Sequence, residues 1–230
     1  MNLSKKIIEK RKHVLNNDPN IWTVDNFLKE DECKHMIDLG KLDLTRSKVC
    51  DKKKSVISQR RTSQTSWIDH NKDEISKEIA EKISRYVNIP IQHAEKFQLA
   101  YYKKTQQYFY HFDSWDNNGS EKTLNAIKYG GPRILTAIVY LNDVKEGGCT
   151  EFSKLNLKVK PERGKLLVFQ NTCKNLIDKH PLSEHAGNSV IKGEKYILTL
   201  WFRHCERSKL YKEFNPSYYE NIHLDKDKIN

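Results

Sequence analysis

Tyr108-Phe109-Tyr110-His111-Phe112-Asp113 reads as a strand that runs into a loop. Alternate residues of a strand point to one face, so His111 and Asp113 aim at one point. A His-x-Asp pair is two-thirds of a 2-His-1-carboxylate facial triad. That ligand set suits non-haem Fe(II) and leaves coordination positions open. Standing alone, such a pair is more often a local hydrogen-bonded couple in a loop. It becomes a metal site only if a second histidine from a distant strand faces it. His180, His185 and His204 are the later candidates, and His185 opens a strand in Ser183-Glu184-His185-Ala186-Gly187.

Outward from this stretch, short apolar runs separated by turn residues predict strands over 97–103, 106–112, 133–142, 149–153, 157–160, 165–170, 183–189 and 195–203. Residues 114–132 are polar, with Asn117-Asn118-Gly119 and Gly130-Gly131-Pro132, and read as a lid or connection. Upstream the period changes. A short exposed helix is expected over 3–16, broken by Asn16-Asn17-Asp18-Pro19-Asn20, followed by a strand over 21–28. An amphipathic helix over 29–41 has Cys33, Met36, Ile37 and Leu39 for its inner side. Residues 42–60 are polar, basic and aperiodic, and read as a mobile loop near a substrate groove. After a strand over 61–67, a helix over 71–88 has Ile75, Ile79, Ile83 and Tyr86-Val87 at helical spacing, with Asp69 or Asn71 as its cap and Pro90 ending it. The tail over 206–230 is polar, with an aromatic cluster at Phe214, Tyr218 and Tyr219, and reads either as a short packed helix or as partly disordered. Two helices followed by about eight strands predict an α+β chain built on a β-sandwich or jelly roll.

The chain has 230 residues, enough for one domain with a sizeable core. It has no long apolar run, which excludes a transmembrane helix. The first dozen residues lack the apolar segment of a secretory signal, which favours a cytosolic setting. Five scattered cysteines with no Cys-x-x-Cys argue against a disulfide framework and a zinc knuckle. The formal net charge is +11. A basic surface suits nucleic acid, anionic membrane or an acidic polypeptide. The lysines are spread along the chain, so charge carries little weight in choosing among these.

Lys195 opens the last apolar strand, ten residues beyond His185. A co-substrate that chelates Fe(II) through a 2-oxo acid end needs a cation for its far carboxylate, and a buried lysine supplies one. The commoner fate of such a lysine is a solvated strand edge.

The order Tyr102…Tyr108-x-x-His111-x-Asp113…Gly131-x-Arg133-x-x-Thr136…Tyr140-Leu141-Asn142-Asp143-Val144…Gly147-Gly148-x-Thr150-x-Phe152…Pro161-x-x-Gly164…Phe169…His185…Lys195…Trp201-Phe202 resembles the prolyl 4-hydroxylase catalytic domain of the Fe(II)/2-oxoglutarate dioxygenases. Asn26-Phe27-Leu28 and Arg61-Thr62-Ser63 are similar too, so the likeness spans 21–205. It divides the chain into an N-terminal helical extension over 1–20, the dioxygenase domain over 21–205 and a C-terminal tail over 206–230. The resemblance implies a double-stranded β-helix, or jelly roll, with N-terminal helices packed on one sheet. It implies that His111, Asp113 and His185 bind the metal, with no separate catalytic acid or base. Lys195 matches the residue that pairs with the distal carboxylate of 2-oxoglutarate, while Tyr102, Thr199, Trp201 and, less closely, Tyr140 match positions in that pocket. The implied reaction couples decarboxylation of 2-oxoglutarate by O₂ to hydroxylation of prolyl C4, releasing succinate and CO₂, with L-ascorbate keeping the iron ferrous.

The implied partner is a Pro-rich or collagen-like polypeptide, already extended as polyproline II and so cheap to dock. Arg133 is placed to contact it, and Tyr101, Tyr110 and Trp115 are candidates for its groove. Thr105 stands where the family usually has Gly, which puts that turn in question. The basic insert over 171–182 does the same for one rim. Alternatives weighed against this reading are peptidyl lysine or an alkylated nucleobase as substrate, a non-catalytic barrel that binds Pro-rich peptide, and a zinc hydrolase, which has no use for Lys195.

Overall fold

The computed structural model describes residues 12–51, 54–116 and 118–211, with the side chains of 49–57 left aside. In chain order, a hairpin of β1 (Lys12–Asn17) and β2 (Asn20–Val24) leads to α1 (Glu30–Lys41). There follow β3 (Thr45–Arg46), β4 (Lys48–Asp51), β5 (Lys54–Ile57), β6 (Gln64–Ile68) and α2 (Glu74–Val87). Next come β7 (Phe97–Tyr102), β8 (Tyr108–His111), α3 (Glu121–Ile127) and β9 (Arg133–Tyr140). The chain closes with β10 (Glu146–Gly147), β11 (Thr150–Phe152), β12 (Leu157–Val159), β13 (Leu166–Gln170), β14 (His185–Gly187), β15 (Val190–Lys192) and β16 (Lys195–Arg203).

The strands form an eight-stranded sheet, β1-β2-β13-β9-β16-β7-β6-β3, and a four-stranded sheet, β12-β11-β14-β8. This is the expected double-stranded β-helix. The large sheet is antiparallel throughout. Its central strands are buried on both faces, and period-2 alternation divides their side chains. From β9, Leu135, Ala137 and Val139 meet α1 and α2 in one apolar cluster. Ile138 and Tyr140 of the same strand join the second cluster, between the sheets. β16 repeats the pattern: Tyr196, Leu198, Leu200 and Phe202 face the helices, and Lys195, Ile197, Thr199 and Trp201 face the interior cavity. One register slip would exchange these sets and bury the wrong face. Leu198 packs fully in this core, where truncation to Ala costs ~2–5 kcal/mol.

Several local expectations need correction. The helix expected over 3–16 is a strand where it is described: Lys12–Asn17 pairs with Asn20–Val24, because Asp18-Pro19 makes a tight turn and the hairpin caps the edge of the large sheet. Residues 1–11 lie outside the described residues. The aperiodic loop over 42–60 carries β3 and the β4–β5 hairpin. α2 starts later than expected: Asp73, not Asp69 or Asn71, accepts from the Ser76 backbone N–H at 2.8 Å and caps it. The lid over 114–132 contains α3, capped by Ser120. Phe214, Tyr218 and Tyr219 lie outside the described residues. Among the described residues no helix is long and apolar enough to cross a membrane.

Candidate active site

His111 ends β8 and is the register partner of His185, which opens β14. Asp113 follows in the bend after β8 and is buried. The carboxylate sits between the two rings. Nε2 of His111 is 3.6 Å from Oδ1, and Nε2 of His185 is 3.6 Å from Oδ2. One ligand atom from each of the three lies within 4.8 Å of the others.

The tautomers are set by the backbone. Nδ1 of His111 lies 2.8 Å from the Phe109 carbonyl oxygen, and Nδ1 of His185 lies 3.0 Å from that of Ser183. A carbonyl only accepts, so each Nδ1 carries the proton and each Nε2 turns its lone pair toward Asp113. Thr136 donates to Asp113 Oδ2 at 2.8 Å and accepts from Asn171 at 2.8 Å, which fixes the carboxylate. Burial pushes His185 down to about 4 and keeps it neutral at pH 7. Burial alone would raise the Asp113 carboxyl, but His185, His111 and Arg133 around it outweigh that and hold it far below the usual carboxylate range. Two imidazoles, that of His185 held neutral, beside an ionised carboxylate, all facing a cavity, are the donor set a divalent cation needs.

The cavity measures about 810 Å³. Lys195 lines it from β16, opposite Tyr102 of β7 in register. Its ammonium is buried, 5.4 Å from the ring centre of Tyr102 and 5.6 Å from that of Tyr140. No carboxylate pairs with it among the described residues. Burial pushes its pKa down to about 8. A buried ammonium without an anion is costly unless a ligand supplies one. The cavity therefore offers a metal-binding triad and, on the same interior surface, a cation for a ligand's carboxylate.

The sequence pattern of the 2OG-Fe(II) oxygenase superfamily matches residues 97–203. The chain is 34% identical over 208 residues to "Probable prolyl 4-hydroxylase 10" of Arabidopsis thaliana, covering 81% of this chain and 69% of that protein. This chain belongs to the prolyl 4-hydroxylase family. It is also 43% identical over 143 residues to "Putative prolyl 4-hydroxylase" of Acanthamoeba polyphaga mimivirus, covering 62% of this chain and 58% of that protein. Among solved structures it is similar to the viral collagen prolyl hydroxylase of Paramecium Bursaria Chlorella virus-1 in its 2OG complex. That match has a TM-score of 0.63 and 27% identity, and covers 80% of this chain and 95% of that one.

The other expected residues of this prolyl 4-hydroxylase family member divide by position. Tyr102, Thr199 and Trp201 line the cavity with Lys195. Tyr140 stands behind the lining and donates to the Thr150 hydroxyl at 2.7 Å. Trp115 lines the mouth, whereas Tyr110 does not. Arg133 lines the cavity with its guanidinium committed: it donates to both Glu95 oxygens, at 2.6 and 2.7 Å, and lies 3.9 Å over the Trp201 ring. Arg203 donates to the same Glu95 at 2.6 Å and to the Gly131 carbonyl at 2.7 Å, which ties the lid down. Burial alone would raise the Glu95 carboxyl, but Arg133 and Arg203 bring it down to about 2.

Sequence reasoning missed Glu95 and Arg203, because a pair 108 residues apart leaves no local pattern. It also missed Tyr108, stacked 3.6 Å from the His111 ring, and Arg61, which lies 4.7 Å over Tyr108. The Arg61-Thr62-Ser63 resemblance was the available signal for Arg61. Thr105 takes φ 69, the left-handed conformation that suits glycine.

Proposed function

We propose that this chain hydroxylates prolyl residues at C4 in a Pro-rich or collagen-like polypeptide, consuming 2-oxoglutarate and O₂. The observation that carries the reading is the His111–Asp113–His185 triad sharing one cavity with a buried Lys195 that has no carboxylate partner among the described residues. His111, Asp113 and His185 would hold Fe(II) through Nε2, Nε2 and a carboxylate oxygen. Bound there, iron supplies the O₂ activation and hydrogen abstraction that no amino-acid side chain provides.

The chain's own residues do the rest. Lys195 takes the distal carboxylate of 2-oxoglutarate, and Tyr102, Thr199 and Trp201 wall the co-substrate in. Thr136 holds Asp113 in orientation, and the carbonyls of Phe109 and Ser183 hold the two imidazoles. Phe152 and Phe169, with ring centres 5.6 and 4.7 Å from His185, keep that side dry. Trp115 at the mouth positions the peptide, backed by the Glu95-bound Arg133 guanidinium 5.3 Å from its ring centre. L-Ascorbate would serve to keep a bound iron ferrous. Cys33, Cys149, Cys173 and Cys205 are free thiols, which suits a reducing compartment.

The test is incubation with Fe(II), 2-oxoglutarate, ascorbate and a panel of Pro-rich peptides, read by mass spectrometry and succinate release. One added oxygen on proline, matched by succinate, is expected. Succinate without hydroxyproline across the whole panel would sink the assignment.

A further inference from the structure

The cavity and its mouth are strongly one-sided in charge. Seven basic and two acidic residues line them. Several of these charges are already committed. Asp113 belongs to the triad, Lys195 faces the co-substrate end, and Arg133 is bound to Glu95. Lys179 is paired with Asp116 at 2.6 Å. On the side lined by Lys48, Ser58, Arg60 and Arg61, three cations have no carboxylate against them among the described residues. Lys48 is exposed at the start of β4. Arg60 is exposed and donates to the Tyr110 carbonyl at 3.0 Å. Arg61 is buried and meets only neutral acceptors, Gln98 at 2.6 Å and Ser63 at 3.3 Å.

Arg61 is the informative member. A buried guanidinium without a carboxylate is held at a cost that an incoming anion relieves. It stands two ring contacts from the metal-site histidine: 4.7 Å over Tyr108, whose ring centre is 3.6 Å from that of His111. That distance is the reach of two or three residues of an extended peptide, at ~3.1 Å each. Arg60 and Lys48 continue the same charge outward along the mouth.

We propose that the wall of Lys48, Arg60 and Arg61 selects polypeptides with a carboxylate side chain within about three residues of the target proline. This rests on the prolyl reading above and adds a sequence context to it. Opposite charge at the mouth speeds encounter and sets register, and Arg61 discriminates most because it is desolvated.

Three Pro-rich peptides that differ only at the positions two and three residues to either side of the target proline (Glu, Gln or Lys) test this. Initial rates of hydroxyproline formation give kcat/KM for each. The expected order is Glu above Gln above Lys, spanning at least about tenfold at low salt and narrowing in 0.5 M salt. Arg60→Glu and Lys48→Glu lie on the exposed rim and leave the core packing intact; combined, they should shrink the Glu-to-Lys ratio severalfold, leaving the part that Arg61 sets, and an unchanged ratio overturns the inference. Equal kcat/KM for the three peptides, or a preference for Lys, overturns the inference and leaves the prolyl assignment standing. No hydroxylation of any of them overturns that assignment and the inference with it. Inhibition by single-stranded DNA as strong as by the Glu peptide would mark the wall as a general anion surface and also overturn the inference.

Discussion

Replacing Lys195 with Met should make the protein more stable and nearly blind to 2-oxoglutarate. The ammonium is buried, and no carboxylate pairs with it among the described residues. Burial lowers its pKa from 10.5 to about 8. At 1.36 kcal/mol per pH unit, that displacement corresponds to about 3 kcal/mol of destabilisation while the group stays charged. The sign follows from proton binding: the unfolded chain holds this proton more tightly, so the penalty is complete below pH 8 and fades as pH rises from 8 to 10.5. Met keeps the aliphatic stem and removes the charge. K195M should then melt roughly 5–10 °C higher at pH 7 in the absence of co-substrate, and this gain should shrink toward pH 10. Binding moves the other way. Removing one partner of a buried charge pair costs about 2–5 kcal/mol, so affinity for 2-oxoglutarate should fall roughly thirty-fold to several thousand-fold. In the native protein, affinity should weaken above pH 8, because the free Lys195 must take up a proton to bind. Anaerobic calorimetric titration of the Mn(II)-loaded protein and thermal melts across pH 7–10 read both quantities. Unchanged 2-oxoglutarate affinity in K195M, or a lower melting temperature than the parent, would refute the placement of an uncompensated ammonium in the co-substrate pocket.

Other substitutions probe the remaining parts of the site and its support. Asp113→Ala should abolish stoichiometric Fe(II) or Co(II) binding, followed anaerobically by absorbance; retention of tight metal binding would remove the carboxylate from the site. Glu95→Gln strips the anion from two buried guanidinium groups and should cost about 3–5 kcal/mol in urea denaturation, whereas a loss under 1 kcal/mol would show the cluster to be solvated. Thr105→Gly relieves a β-branched residue held at φ 69 and should stabilise by about 1 kcal/mol; a destabilised T105G would mean that the Thr105 hydroxyl bond to the Lys104 carbonyl outweighs the backbone strain.

The fold and the centre of the site were legible in the chain because their signals are local or ordered. Near-continuous apolar runs in 133–140 and 195–203 mark strands buried on both faces, and His111-x-Asp113 converges across the end of β8 and the bend that follows it. His185 and Lys195 could be nominated because each opens a strand. The charge on Lys195 could not be weighed in the same way. A solvated strand edge and an anion-free pocket are written with the same residue, and only burial separates them. The strand over 21–28 is legible and appears as β2; Lys12–Asn17 departs from the helical spacing of Leu3, Ile7, Ile8 and Val14 because it pairs with β2, itself docked on β13. Glu95 with Arg133 and Arg203, and Arg61 on Tyr108 beside His111, belong wholly to the tertiary level. Their partners lie far apart in the chain, and side chains that meet only when two sheets close have no spacing of their own to betray them.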